Sequence, residues 1–217
     1  MENNALGILV TGGILAYILG SVSFAVWIGR IFYHVDIREK GSGNAGATNT
    51  IRVLGVKAGV IVLLLDTFKA WLAVTIAPLF LVSTSLGITS VNYSIILGAL
   101  AVVGHVFPVF TGFKGGKGVA SLVGVVIALF PLAFLIILLW FVLVFILTKY
   151  VSLSSVSSAL LFPILVVFIL HQHSPSLIVL ALSIAVFIPV THRKNLKRLA
   201  NGSEPKMSFR RKESAEK

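Results

Sequence analysis

The sequence predicts an all-α polytopic membrane protein with seven transmembrane helices, an outer N-terminus and a cytoplasmic C-terminus. Hydrophobic residues make up 57% of the 217 residues and charged residues only 12%, which is too apolar for a soluble domain. Several apolar runs reach the ~20 residues that cross a bilayer as a helix. Lys and Arg occur in some connecting loops and are absent from others, which indicates the orientation. We expect one membrane domain at 1–200 and a basic, disordered tail at 201–217.

The composition excludes several kinds of site. Without cysteine there are no disulfides, thiolate metal sites or cysteine thioester intermediates. No Asp residues are clustered to hold magnesium, so we predict neither a metal nor a cofactor.

The start MENNALG lacks the basic region of a cleaved signal peptide. Nine of the 18 Lys and Arg lie in 193–217; because an apolar run directly precedes this tail, the lipid bilayer is favoured over nucleic acid as its partner.

The apolar runs follow one another along the chain at 5–33, 53–82, 93–110, 119–147, 159–170 and 177–190. The polar loops at 83–92 and 171–176 contain no Lys or Arg, whereas the other connections are basic. The run at 119–147 decides the topology. As one helix it gives six spans and divides the basic loops between both sides. A break near Pro131 gives seven spans and places every basic loop on one side, as the positive-inside rule favours. The piece 119–130 would then be short, ~18 Å of helix.

The first polar segment, Gly41 to Arg52, reads GSGNAGATNTIR. Its glycines allow positive φ and a close approach to a ligand, and successive amides in such a turn suit an anion. Arg52 adds a planar charged group that fits phosphate. The short polar side chains around the glycines are Ser42, Asn44, Thr48 and Asn49. A solvated loop is the ordinary alternative.

A second glycine-rich segment, Gly112 to Gly118, reads GFKGGKG. Lys114 and Lys117 stand on either side of two glycines, so lysine charges and backbone amides can hold a phosphate together. The segment is not a Walker A loop, which requires G-x-x-x-x-G-K-[ST]. Two anion-binding loops in one small membrane protein predict a phosphorylated substrate.

Other polar residues near these loops permit two interpretations each. Asp66 and Lys69 share a helical face inside a span: either they neutralise each other, or Asp66 orients Lys69 toward a substrate anion. His105, at a helix end, is a capping or core residue, or it acts as a base. Serines at 152, 154 and 155 bind a polyol or phosphate, or they cap a helix. Residues His192, Asn195 and Arg198 recur every three positions and face either a site or lipid headgroups.

Five segments together resemble the bacterial acyl-phosphate:glycerol-3-phosphate acyltransferases, the PlsY family. GSGNAGATNTIR is similar to its first motif, with Ala45 in place of the usual proline. DTFKA is similar to its D-x-x-K-G element, with Ala70 in place of glycine. GHVFPVFTGFKGGKG at 104–118, VSLSS at 151–155 and HRKNLKRL at 192–199 follow in the family's order.

The resemblance implies the reaction. A fatty acyl group passes from acyl phosphate to the 1-hydroxyl of glycerol 3-phosphate, giving lysophosphatidic acid and phosphate in the first step of phospholipid synthesis. It also implies seven helices in the bacterial plasma (inner) membrane and a site that faces the cytoplasm. Because an acyl phosphate already has a good leaving group, positioning and charge stabilisation suffice and we expect no covalent enzyme intermediate.

Site residues are assigned by combining the motifs with this resemblance. The predicted catalytic residues are Ser42, Asn44, Arg52, Lys117 and His192, and the predicted substrate-binding residues are Gly43, Thr48, Asn49, Lys69, His105, Lys114, Gly115, Gly116, Ser152, Ser155 and Asn195. The proton acceptor is His192, His105 or the donor's own phosphate, and the resemblance favours the last.

The alternative function is a carrier or channel for phosphorylated metabolites. A carrier needs access from both faces of the membrane, and the outer halves of the spans contain few polar residues, which argues against this alternative.

Overall fold

The computed structural model describes residues 2–80 and 87–208, with side chains from residue 6 onward, and it contains no strand in these ranges. The helices are α1 Glu2–Ser21, α2 Phe24–Tyr33, α3 Ala47–Leu54, α4 Val56–Thr75, α5 Ser90–Val106, α6 Val119–Leu129, α7 Pro131–Thr148, α8 Val151–Ile164, α9 Pro175–Thr191 and α10 Arg193–Ala200. The all-helical prediction is confirmed.

Four described segments are long and apolar enough to cross a bilayer: Val56–Phe80, Ser90–Thr111, Pro131–Thr148 and Val151–Ile169. Two bent pairs, α1 with α2 (43°) and α9 with α10 (62°), raise the number to six if each counts as one span. Helix α6, with 11 residues, is shorter than these. The fold therefore has four to six such spans in the described ranges, and seven spans stays a prediction.

The predicted break in the long run 119–147 is confirmed. Helix α6 ends at Leu129, Phe130 leaves the helical conformation at φ −141° and ψ 57°, and Pro131 begins α7. Proline lacks an N–H and has a fixed φ, so it starts a helix more readily than it continues one.

Three boundaries differ from the sequence analysis. The first run is divided between Ser21 and Phe24, and the polar segment 36–52 becomes helical at Ala47. The serines after 150 lie inside α8, so the capping interpretation is wrong: Ser154 Oγ donates to the Tyr150 carbonyl and Ser155 Oγ to the Val151 carbonyl, both at 2.9 Å. Short hydroxyl side chains commonly donate to the preceding turn in this way. Of the neutral loop 83–92, residues 83–86 lie outside the described ranges.

Glycines set the distance between the central helices. A Cβ on Gly20 of α1 would lie 2.1 Å from the Ala101 carbonyl oxygen of α5, and one on Gly124 of α6 would lie 2.1 Å from the Thr67 oxygen of α4. Backbones that approach this closely are typical of helix packing in membranes. Helix α7, by contrast, exposes nearly all of its leucines, as expected for a helix in contact with lipid.

The segment after α10 returns to the bundle. Gly202 has φ 67°, and the amides of Ser203 and Glu204 donate to the Arg198 carbonyl at 2.8 and 3.1 Å. Farther on, Met207 N donates to the Lys149 carbonyl at 2.9 Å. Residues 201–208 therefore pack against the helices, unlike the disordered tail that the sequence predicts, and 209–217 lie outside the described ranges.

Candidate active site

One cavity of about 280 Å³ gathers residues from both glycine-rich segments, α8 and the α9–α10 junction. The predicted site residues that line it are Ser42, Asn44, Thr48, Asn49, Arg52, His105, Lys117, Ser152, Ser155, His192 and Asn195. The predicted residues that do not line it are Gly43, Lys69, Lys114, Gly115 and Gly116. Segments that are distant in sequence thus converge on one place, as the motifs indicated.

Four helices begin at this cavity. First-turn residues of α3, α6, α8 and α10 all contribute to its wall: Ala47 and Thr48, Val119 and Ala120, Val151 and Ser152, and Asn195. A helix N-terminus carries a partial positive charge and unpaired amides, which favour an anion. None of the four has an acidic residue in its first turn. With Arg52 and Lys117 beside them, they give the cavity a strongly positive wall.

Asn49 supports the first loop more than it offers a contact to a ligand. Its Oδ1 accepts the Ser42 amide at 2.8 Å, and its Nδ2 donates to the carbonyls of Ile37 (2.8 Å) and Lys40 (3.1 Å). The side chain is 1% exposed. The expected positive φ occurs at Gly41 (62°) and Gly43 (72°). Asn49 therefore holds the loop in the shape that presents Ser42 and Asn44 to the cavity.

Arg38, which lies before the first glycine-rich segment, forms an ion pair with Asp36 and also bonds to the residue that precedes the second segment. Asp36 accepts hydrogen bonds from Arg38 Nε (3.0 Å) and Arg30 Nη2 (2.8 Å). The Arg38 guanidinium, with smaller help from Arg30, holds the pKa of the Asp36 carboxyl well below its usual range despite partial burial. Arg38 Nη1 also donates to the Thr111 carbonyl at 2.7 Å. The stretch before the first glycine-rich segment is thus bonded to the residue that directly precedes the second.

Two glycines of the second loop, Gly115 and Gly116, are required for packing, and their amides are already occupied. Gly115 N donates to the Val106 carbonyl at 3.2 Å and Gly116 N to the His105 carbonyl at 3.1 Å. A Cβ on Gly116 would lie 2.1 Å from His105 Nε2. These amides therefore bond to the chain itself instead of to a phosphate. Lys114 is exposed outside the cavity, so Lys117 is the loop's cation at the site.

Lys117 enters a hydrogen-bonded network on α10. Its Nζ donates to Asn195 Oδ1, and Asn195 Nδ2 donates to Glu204 Oε1 at 2.6 Å. Burial lowers the pKa of Lys117 to about 8; the nearby Arg198 and Arg52 add to this effect, and Glu204 opposes it. The ammonium is therefore charged at neutral pH and close to its titration range.

Glu204 is a cavity residue that the sequence analysis missed. Its carboxylate accepts Ser152 Oγ at 2.8 Å and Arg198 Nε at 2.7 Å, besides Asn195. Burial tends to raise the pKa of Glu204, but the hydrogen bonds from Asn195, Arg198 and Ser152 outweigh this and lower it. The signal in the sequence was Asn201-Gly202, which commonly ends a helix and reverses the chain, followed closely by an acid, Glu204, in a basic tail.

Lys69 does not line the cavity, and the alternative of a neutralising pair with Asp66 agrees with the geometry. Lys69 Nζ lies 2.7 Å from Asp66 Oδ1 and donates to the Val22 carbonyl at 2.6 Å, at the break between α1 and α2. Asp66 also lies 3.5 Å from His105 Nδ1. Asp66 and His105 reach the cavity wall. This buried cluster connects α4 to the helix that carries the second loop.

His192 lies at the junction of α9 and α10, buried and on the cavity wall. Its Nδ1 is 2.9 Å from the Ile188 carbonyl oxygen. A carbonyl oxygen only accepts, so Nδ1 carries the hydrogen and Nε2 remains for a ligand.

One side of the cavity is apolar. Its wall includes Ile51, Leu63, Phe141, Phe145 and Met207. Leu63 is 42% exposed on the outer surface of α4, so this side of the cavity reaches the surface that faces lipid. A positive wall and an apolar wall side by side suit a molecule with an anionic head and a hydrocarbon chain.

Comparison with known proteins agrees with this geometry. Residues 10–202 match the family model described as glycerol-3-phosphate acyltransferase. The chain is 45% identical over 201 residues to the glycerol-3-phosphate acyltransferase of Listeria monocytogenes, covering 93% of this chain and 98% of that one. It is 47% identical over 194 residues to glycerol-3-phosphate acyltransferase 2 of Bacillus anthracis, covering 89% and 96%.

Two solved structures share the fold. A crystal structure of PlsY, an integral membrane glycerol 3-phosphate acyltransferase, in its glycerol 3-phosphate form superposes with a TM-score of 0.80 at 35% identity, covering 94% of this chain and 96% of that one. Its lysophosphatidic acid form gives 0.78 at 35% identity, with 95% and 96% covered. On its sequence, its fold and the match along nearly its whole length, the chain belongs to the glycerol-3-phosphate acyltransferase family of integral membrane proteins.

Proposed function

We propose that this enzyme transfers a fatty acyl group from an acyl phosphate to the 1-hydroxyl of glycerol 3-phosphate, releasing lysophosphatidic acid and phosphate. The observation that carries the proposal is the cavity at which four helices begin beside Arg52 and Lys117. Both substrates bring a phosphate, and a wall built from helix N-termini and two cations accommodates the charge of both.

In this mechanism the protein positions the reactants and stabilises charge. The amides of Ala47 and Thr48 have no partner in the described chain, and with Ser42, Asn44 and Arg52 they receive the acyl-phosphate head. Lys117 stabilises the phosphate that leaves, because charge grows there as the acyl–oxygen bond breaks. The glycerol 1-hydroxyl attacks the acyl carbon, and its proton passes to the departing phosphate. The acyl chain lies along the apolar wall near Leu63 and Phe141.

We also propose seven spans, with α6 as a short span, the N-terminus outside and the cavity at the cytoplasmic face of the bacterial inner membrane. The support is that both glycine-rich loops, the start of α8 and the start of α10 line one cavity. These are the basic connections of the sequence, and basic loops remain on the cytoplasmic side.

The test uses purified protein with palmitoyl phosphate and glycerol 3-phosphate, with phosphate and lysophosphatidic acid measured together. We expect equal amounts of both products, and we expect Arg52→Ala and Lys117→Ala to lower kcat/KM at least ~100-fold, since each removes a charged contact to a phosphate. Lys57→Ala, an exposed lysine at the start of α4, is the matched control and retains activity. Turnover with palmitoyl coenzyme A but none with palmitoyl phosphate would refute the proposed donor.

A further inference from the structure

Glu204 is one of two carboxylates that line a cavity otherwise suited to anions, and the other, Asp66, is paired with Lys69. Glu204 lines the wall next to Asn195, which bonds to Lys117, and it is only 6% exposed. A phosphate is repelled by a carboxylate, so the contacts proposed above leave this group without a function toward the substrate. Its hydrogen bonds show which part of the carboxylate remains available.

The two oxygens of Glu204 are used unequally. Oε1 accepts two hydrogen bonds, from Ser152 Oγ at 2.8 Å and from Asn195 Nδ2 at 2.6 Å. Oε2 accepts one in the described chain, from Arg198 Nε at 2.7 Å. Because each oxygen of an ionised carboxylate can accept about two, Oε2 retains the capacity for one further donor.

Glycerol 3-phosphate offers two donors, the hydroxyls on C1 and C2. The hydrogen bonds that surround Glu204 lower its pKa, so it accepts a hydrogen bond well but is a poor general base at neutral pH. The C1 hydroxyl loses its proton during acyl transfer. The C2 hydroxyl keeps its proton from substrate to product and therefore matches a permanent, weakly basic acceptor.

We propose that Glu204 determines specificity by accepting a hydrogen bond from the C2 hydroxyl of glycerol 3-phosphate through Oε2. This inference rests on the proposed function, because it requires the glycerol backbone to lie between Lys117 and the segment after α10. With the phosphate and the reacting oxygen also held, Glu204 supplies the third contact that distinguishes the two enantiomers of the substrate.

The test compares glycerol 3-phosphate with propane-1,3-diol monophosphate, which lacks only the C2 hydroxyl, in wild type and in Glu204→Gln. In wild type we expect kcat/KM to favour glycerol 3-phosphate by about 10- to 100-fold, the usual range for a hydrogen bond to a charged group. In Glu204→Gln the preference falls to within about threefold, because the loss is confined to the natural substrate. The preference between enantiomers falls in parallel.

A purely structural role for Glu204 predicts a different result. Both substrates would then lose kcat/KM by the same factor, and that outcome, or a wild type that does not distinguish them, overturns the proposal. Glu39→Gln, the same change at an exposed position away from the cavity, is the matched control. If Glu204→Gln unfolds, Glu204→Asp replaces it, because it keeps the charge and withdraws the acceptor by one methylene; the preference is again expected to collapse.

The contact between Glu204 and the C2 hydroxyl can be tested independently of the proposed acyl donor. Dissociation constants for the two phosphates, measured by calorimetry without any acyl donor, test the contact to C2 even if palmitoyl phosphate is not turned over. Equal affinities in wild type overturn the inference about Glu204 and leave the identity of the donor untouched.

Discussion

The pKa of Lys117 is set by effects of opposite sign. Burial and the neighbouring Arg52 and Arg198 disfavour its charge, whereas Glu204 and the hydrogen bond to Asn195 favour it. A phosphate placed in the cavity adds a further negative charge and raises the pKa of Lys117 again. The lysine therefore binds a proton more tightly when substrate is present, and substrate affinity should depend on pH.

We predict that kcat/KM for palmitoyl phosphate falls about tenfold between pH 7 and pH 9, since a lysine with a pKa of about 8 is about one-tenth charged at pH 9. Because this pKa is lower in the folded than in the unfolded chain, the folded state binds fewer protons above pH 8, and the contribution of Lys117 to stability increases toward pH 10.5. Melting temperatures at each pH therefore separate the two effects. A fall in kcat/KM that follows unfolding, or a kcat/KM that does not change with pH, contradicts the prediction.

The types of side chain at the site were predictable, whereas their partners were not. Arg52, Lys117 and His192 were identified because a glycine-rich turn, a lysine and a histidine at helix ends are local patterns. The hydrogen bond of Lys69 was not predictable because its partner carbonyl at Val22 is 47 residues away. Glu204 was missed because it reaches Ser152 only after the chain reverses at Gly202. Such contacts depend on tertiary packing, which periodicity and motif spacing do not specify.

Among the contacts between helices, the contact of α4 with α6 has the most direct effect on the shape of the cavity. Helix α4 carries Asp66, and α6 follows directly after Lys117. Their separation is fixed by Gly124, which leaves no room for a Cβ against the Thr67 oxygen or the Trp71 amide. Widening this contact would move both walls of the cavity.

We predict that Gly124→Leu destabilises the protein by about 1–3 kcal/mol, as overpacked positions do, and lowers kcat/KM. The measurement is thermal unfolding in detergent together with the transferase assay. Gly7→Leu is the matched control, because a Cβ at Gly7 meets nothing within 4 Å. Equal behaviour of the two variants would contradict the prediction.

Helix boundaries were predictable where proline sets them and less so elsewhere. Pro131 identified the break between α6 and α7 because a missing N–H acts locally. The break between α1 and α2 has no such residue. There the Val22 carbonyl is bonded by Lys69 from α4, a contact between segments that no local pattern in the first run reveals.

The Lys and Arg residues of the connecting loops are distributed unequally between the two ends of the bundle. The basic loops gather at the end that holds the cavity, and the connection 171–174 between the preceding helix and α9 carries no Lys or Arg. The proposed orientation follows from this asymmetry together with the transmembrane fold.

The absence of cysteine from the sequence allows this orientation to be measured directly. We predict that a single cysteine at Gln172 reacts with a membrane-impermeant maleimide in intact cells, whereas one at Lys114 reacts only after the cells are opened. Lys114 lies outside the cavity and is exposed, so labelling there reports the side of the membrane. The opposite pattern would invert the topology, and labelling of both in intact cells would refute seven spans.

The return of residues 201–208 to the cavity also determines the order in which the enzyme is completed during synthesis. Every described helix that lines the cavity precedes Glu204 in the chain, so the bundle can enter the membrane before Asn195 and Arg198 receive their carboxylate partner. A nascent chain that has not yet emerged beyond Gly202 thus lacks the carboxylate that bonds to Asn195 and Arg198. Synthesis of the segment after α10, and not membrane insertion of the helices before it, brings this carboxylate to the site.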